Sequence, residues 1–362
     1  MFDIAWNVTD DAFHGRGKYE PDADVVLKRA VESGVQGCII CGGSVEDSAK
    51  GLEICEKLDP STTSTTAGDS CQSGRSHQDL KLFQTVGVHP TRCADFEPER
   101  DLGLLRDLIQ GARPKNRVVA FGEFGLDYDR LQFCSKEAQQ AAFRAQLGLA
   151  RELALPLYLH CRGDGCWQDL KDIMMLGMNS PATAMPNGGV VHSFTGTLEE
   201  LKELLDFGLD VGVNGCSLKT EENCEVAASI PLDRLHLETD APYCDIRSTH
   251  ASSKHLTSYT TLSKDHGKQE YAEQQPGESE PVEHTSKNIN LDLIDIPHLL
   301  QQQTLNQKLQ TKKFDHGKML KGRNEPCRVL EVAQVLASLK QLPLEKVLDV
   351  TARNTRRLFR IA

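Results

Sequence analysis

The chain has 362 residues, the length of one α/β barrel with insertions, a fold that takes about 250 residues and can exceed about 400. Hydrophobic residues at 39% and charged residues at 26% exclude a disordered or fibrous chain and supply ample material for a core. A formal net charge of −11 speaks against a broad basic surface that holds nucleic acid, but not against a nuclease that draws positive charge locally from metal ions.

No apolar run approaches the ~20 residues of a membrane span, and the opening MFDIAWNVTDDAF lacks a basic n-region and a long apolar h-region. The expectation is a cytosolic or nuclear protein without membrane contact. The 12 cysteines are scattered, mostly in apolar runs, and read as free buried thiols. Cys38 and Cys41 form a C-x-x-C inside the strand-like run GVQGCIICGG, where residues three apart point to opposite faces, so they are not read as a zinc or redox pair.

In chain order, short β-branched or aliphatic runs alternate with segments of helical period, the pattern of a parallel sheet with crossover helices. The predicted strands are Phe2 to Ala5, Val35 to Cys41, Phe83 to Val88, Val118 to Gly122, Leu155 to Leu159, Gly189 to Val191, Leu209 to Val213 and Leu235 to Glu238. Predicted helices include Ala23 to Ser33, Val45 to Lys57, Lys136 to Leu153 and Leu198 to Phe207, and the chain closes with helical stretches from Cys327 to Leu339 and from Leu344 to Thr351. About eight strands is the count of a TIM (β/α)₈ barrel. An open doubly wound sheet is disfavoured because no G-x-G-x-x-G follows the first strand. One barrel domain over residues 1–362 is therefore expected, with two interruptions. The Ser/Thr/Gly-rich stretch 60–78 reads as a flexible surface loop, and the polar, Gln-rich stretch 257–310 as a partly disordered insertion after the last strand.

In such a barrel the loops leaving the C-terminal strand ends converge on one face, so chemistry belongs directly after the strand runs. His89 ends LFQTVGVH, Glu123 follows VVAFG, His160 ends LPLYLH, His192 ends GGVVH and Asp240 follows LHLET. A single histidine or aspartate at a strand end is commonly structural or a helix cap. Five groups at one depth in five units instead suggest a metal centre, since imidazole and carboxylate together suit Zn²⁺, Mn²⁺ or Mg²⁺. Two carboxylates let an oxygen pair bridge two ions about 3.5 to 4 Å apart, which suits hydrolysis of a phosphoryl or carbonyl substrate. Arg92, Arg130, Arg162, Lys219, Arg247, Lys254, Lys321 and Arg323 lie around these motifs.

The motifs VGVHPT, GEFGLDYDRLQF, LHCR, VHSFTGT, ETDAPYC and GRNEP, in this order, together with NGCSLKTEEN and STHASSKH, resemble the eukaryotic branch of the TatD family of metal-dependent deoxyribonucleases, in the amidohydrolase-like superfamily. The resemblance implies that Glu123 bridges two divalent ions, that His160 and His192 are imidazole ligands, and that Asp240 is a ligand able to accept the proton of the attacking water. It implies that His89 orients the scissile phosphate. Arg162 and Arg323 become candidate phosphate contacts, with an ion pair holding loops as the other reading of Arg323. Glu238 is expected behind the ligands, steering one of them. Many family members carry H-x-H after the first strand, where this chain has Ala5 and Asn7, and Asn7 offers at most a carbonyl oxygen. Weaker binding of at least one ion and a shift towards Mg²⁺ or Mn²⁺ are expected. Phe124 within GEFG, a second variation, is expected to alter only packing.

The implied function is hydrolysis of DNA, single-stranded or at 3′ ends, as a 3′-to-5′ exonuclease. The same metal chemistry also suits an ester or amide hydrolase such as a D-aminoacyl-tRNA deacylase. A third reading, from another class, is an interaction protein that recruits a partner through the 257–310 insertion.

Overall fold

The structure, a computed structural model, describes residues 1–15, 20–59, 80–256 and 318–361. Eight parallel strands follow one another around a single sheet in sequence order: β1 (Phe2–Trp6), β2 (Gly37–Ile40), β3 (Lys81–Val86), β4 (Val118–Asp127), β5 (Leu157–Arg162), β6 (Gly189–Val191), β7 (Asp210–Val213) and β8 (Leu235–Leu237). Helices α1 (Ala23–Glu32), α2 (Val45–Leu58), α3 (Pro98–Ala112), α4 (Lys136–Glu152), α5 (Cys166–Met175), α6 (Pro181–Ala184), α7 (Leu198–Phe207) and α8 (Glu221–Ser229) lie between them, and α9 (Val329–Lys340) and α10 (Leu344–Phe359) follow the last strand. This is the expected (β/α)₈ barrel. The interruptions at 60–78 and 257–310 lie outside the described residues.

The helices start where their caps dictate. Ser44 accepts from the Asp47 N–H at the head of α2 and Ser135 from Ala138 at the head of α4, while Thr197 and Glu200 satisfy each other's backbone donors ahead of α7. Two layers of core result. Most apolar side chains fill the space between strands and helices, whereas Ile4, Ile39, Phe83, Val119, Tyr158 and Val190 fill the barrel with Leu358 and Phe359 from the end of α10. Cys38 belongs to the first layer and Cys41 to the second, so the two thiols do face opposite ways. Phe124, fully buried, packs its ring 5.1 Å from both Phe121 and Phe143, the packing role expected of it.

The closing seam between β8 and β1 is not a regular ladder. Trp6 bridges to Ala241, the Asn7 N–H donates to the Ala241 carbonyl at 2.8 Å, and the Asp3 carboxyl accepts from the Thr239 N–H at 2.8 Å and its hydroxyl at 2.6 Å. Asp3 thus ties together the two strand ends that carry Asn7 and Asp240. The fully buried carboxyl is pushed up to about 8, mainly by burial, with nearby Glu238 adding to it and the bonds from Thr239 and Ala5 opposing it.

This sets a pH dependence. The folded protein keeps the Asp3 proton while the unfolded chain, titrating near the usual carboxylate value, gives it up. The stabilisation is therefore complete below that value and is lost as pH rises through the folded one, at about 1.4 kcal/mol per pH unit between them. An Asp3→Asn variant, which mimics the protonated carboxyl, is expected to show a flatter urea-unfolding profile between about pH 4 and about pH 8 and to exceed the native chain in stability at the upper end. An unchanged slope would assign the pH dependence elsewhere.

Two expectations need correcting. The fourth strand does not stop at Gly122: its pairing with β5 shifts register between Phe121 and Phe124 and then runs on to Asp127 opposite Arg162. Glu123 therefore sits at an irregularity within a strand rather than after one, a place where an extra residue re-aims a side chain. A Cβ at Gly122, whose φ is +148°, would lie 2.2 Å from the Tyr158 carbonyl oxygen, so only glycine lets the chain turn there. Likewise β5 runs through His160 to Arg162 instead of ending at Leu159.

Candidate metal centre

Three imidazoles converge on one carboxylate oxygen. His160 Nδ1 and His192 Nε2 each lie 2.7 Å from Glu123 Oε1, and His89 Nε2 lies 3.2 Å from the same atom. The bend in β4 aims Glu123 inward, β5 carries His160, and the loops after β3 and β6 carry His89 and His192. Glu123, His160 and His192 are all buried. His89, Glu123 and His160 each offer one ligand atom within 4.8 Å of the others.

A carboxylate stands at the far nitrogen of each candidate imidazole ligand. His160 Nε2 lies 3.1 Å from Asp127 Oδ2, and His192 Nδ1 lies 3.6 Å from Glu238 Oε2. Such partners fix the ring orientation and raise ligand basicity. Glu238 is itself fixed through Oε1, which accepts from the Ser193 N–H at 2.5 Å and the Asn214 amide at 3.0 Å. Space for it comes from Gly212, where a Cβ would stand 2.6 Å from Glu238 Oε2. Glu238 lies beside His192, on the side away from Glu123. Asp127 was missed as a functional residue, although its position in GLDYD on the family motif was a usable signal.

His89 differs. Its Nδ1 accepts from the Thr91 N–H at 3.1 Å, which leaves the proton of a neutral ring on Nε2, facing Glu123. As a donor aimed into the site it suits a phosphate oxygen better than a cation.

Asp240 occupies the other side of the site. Asn7 Nδ2 donates to its Oδ1 at 2.7 Å, and the Cys244 thiol lies 3.3 Å from its Oδ2. Its backbone is left-handed (φ 54°), a conformation that aspartate tolerates and that turns the chain sharply after β8. Burial holds the Asp240 carboxyl above the usual range, reinforced by Glu123 and Glu238 and opposed by His192 and the Asn7 bond. Burial pushes Glu123 up as well, but the charges of His192 and His89 and the bonds from His160 and His192 outweigh it and keep it well below the usual value. The His192 ring is held well above its ordinary value, since Glu123 and Glu238 overcome its burial.

Arg162 donates to the Ser193 carbonyl at 3.2 Å and its hydroxyl at 3.0 Å, beside His192 in sequence. Arg323 is not brought to the site. Only 2% exposed, it holds Asp22 through two bonds of 2.8 and 2.7 Å, Glu325 at 3.1 Å and the Ala12 carbonyl at 2.8 Å. A guanidinium this enclosed is committed to an ion pair that fixes the GRNEP loop, and the phosphate-contact reading of Arg323 is withdrawn.

The donor set fits a divalent cation. Nitrogen and carboxylate oxygen are the ligands such ions take, and Asp127 Oδ1 is buried without a hydrogen-bond partner among the described residues. Glu123, His160, His192 and Asp240 would hold the ions. A Glu238→Gln variant tests the steering of His192: its amide would donate to Nδ1 and move the ring proton to Nε2, removing the lone pair that faces Glu123. Metal affinity by calorimetry is expected to fall about 10- to 100-fold with the fold intact. An unchanged affinity would deny Glu238 this role.

The family profile described as TatD related DNase matches residues 2–360. The chain is 33% identical to the deoxyribonuclease Tat-D of Schizosaccharomyces pombe over 98% of its own length and 94% of that protein. It is 35% identical to the 3′-5′ ssDNA/RNA exonuclease TatD of a Rahnella species, over 67% of this chain and 79% of that one. The crystal structure of a hydrolase TatD family protein from Entamoeba histolytica superposes with a TM-score of 0.72 at 31% identity, covering 99% of this chain and 97% of the other. With a barrel of the same kind and this match from end to end, the chain belongs to the TatD related DNase family.

Proposed function

We propose that this protein is a divalent-metal-dependent deoxyribonuclease that removes nucleotides from the 3′ end of single-stranded DNA, in the cytosol or nucleus. The observation that carries the reading is the convergence of three imidazoles on Glu123 with Asp240 across from them, in a chain whose relatives include a 3′-5′ ssDNA/RNA exonuclease. Two divalent ions bound at Glu123, His160, His192 and Asp240 would supply positive charge at the scissile phosphate and lower the pKa of a water. Asp240, held by Asn7 and with its carboxyl above the usual range, takes the proton of the attacking water. His89 donates from Nε2 to a phosphate oxygen and steadies the developing charge. Asp127 and Glu238 keep His160 and His192 in register during turnover. Arg162, half-buried at the end of β5, contacts a neighbouring phosphate in this reading.

The test uses single-stranded DNA labelled at either end, with Mg²⁺, Mn²⁺ or Zn²⁺. Stepwise shortening from the 3′ end, with the 5′ label retained on a ladder of products, is expected. Release of the 5′ label first would reverse the polarity, and hydrolysis of acyl esters on transfer RNA without DNA cleavage would move the protein to the deacylase reading.

A further inference from the structure

Where the first strand offers Ala5 and Asn7, the Asp240 side of the centre is short of ligands, and the structure brings a sulfur there. Cys244 follows Asp240 by one turn of the β8 loop, and its Sγ lies 3.3 Å from Asp240 Oδ2, on the carboxylate oxygen that Asn7 leaves free. We propose that Cys244 is a metal ligand that shares an ion with Asp240 and gives this half of the centre a preference for thiophilic cations. The proposal rests on the metal centre described above, though not on its substrate.

Three observations carry it. The first is distance: sulfur at about 2.3 Å and carboxylate oxygen at about 2.1 Å from one ion stand about 3.1 Å apart at a right angle and about 3.6 Å apart at the tetrahedral angle. The observed separation falls between these, so both atoms can serve one ion without rebuilding the loop. The second is environment. Cys38, Cys41, Cys55 and Cys327 are buried in the packed interior, whereas Cys244, like Cys161 and Cys216, is partly exposed. The third is support from the neighbouring loop, which carries Gly215 and Cys216. That loop is pressed close: a Cβ at Gly215 would lie 2.2 Å from the Cys244 carbonyl oxygen. On coordination the Cys244 thiol gives up its proton to solvent, and the resulting thiolate binds the ion beside Asp240. A thiolate shifts preference from Mg²⁺ towards Zn²⁺, Co²⁺ and Cd²⁺. This reverses, for one ion, the drift to hard cations expected from the loss of two imidazoles.

The test needs no substrate. The full chain, stripped by chelation under a phosphine reductant, is titrated with Co²⁺ and followed by absorption, alongside Cys244→Ser, Cys216→Ser and Glu123→Gln. The native chain and Cys216→Ser are expected to show a near-ultraviolet sulfur-to-cobalt charge-transfer band that Cys244→Ser lacks. The preference for Cd²⁺ over Mn²⁺, by calorimetry, is expected to drop about tenfold or more in Cys244→Ser. Co²⁺ bound with d-d bands sensitive to Glu123→Gln but without the charge-transfer band would overturn the Cys244 proposal and leave the centre standing. Loss of the band in Cys216→Ser but not in Cys244→Ser would also overturn it, and no Co²⁺ binding at all would sink both the ligand and the centre.

Discussion

Asp240→Asn is expected to lower DNA hydrolysis by about 10² to 10⁴ while leaving the fold and much of the metal binding in place, the range removed with a general base. The substitution keeps shape and volume, and the amide oxygen can still accept from Asn7, so the turn after β8 has no reason to move. What it removes is the proton acceptor on the side of the site opposite the imidazoles. The loss should appear in kcat rather than in KM, because the amide oxygen still offers the ion a ligand while the proton acceptor is gone. A variant that retained full turnover would show that the proton goes elsewhere.

Glu123→Gln is expected to abolish activity by a different route. The three imidazoles that face Oε1 would meet a neutral amide, and one orientation of that amide points two hydrogens at nitrogens that must act as donors or ligands. Metal affinity, by equilibrium dialysis, is expected to fall at least about 10²-fold, more than for loss of a steering carboxylate. The His192 ring would lose the larger of its two acidic partners and titrate lower than in the native chain, which its NMR shift against pH would report. If metal affinity and the His192 titration both stayed the same, Glu123 would not be the hub of the centre.

Much of this was legible in the sequence because a parallel barrel writes its topology plainly. Each strand is buried on both sides and reads as a short apolar run, and the residue that ends the run is carried to one face. His89, His160, His192 and Asp240 could be found this way. The residues that hold them could not. Asp3 reads as one polar residue in an apolar strand, and its partner Thr239 lies 236 positions away in sequence. Glu238 follows an ordinary strand pattern, and only the space left by Gly212 shows that its side chain stays inside beneath His192. Arg323 could be read as a phosphate contact or as a loop-holding ion pair because guanidinium suits both phosphate and carboxylate; its choice of Asp22 is a fact of packing, not of pattern. Cys244 was read with the other cysteines as a core thiol, since nothing in ETDAPYC shows that the loop folds its sulfur back onto Asp240. Strand lengths were misjudged where β4 bends, because a register shift leaves no mark on an unbroken apolar run.

The most direct measurement is hydrolysis of a short single-stranded DNA by the purified chain with Mn²⁺, with EDTA, and with Asp240→Asn in place of the native protein. The account predicts cleavage that requires the ion, returns when the chelator is titrated out, and falls by two or more orders of magnitude in the variant. Cleavage that persists in EDTA, or that the variant performs at the native rate, would contradict it.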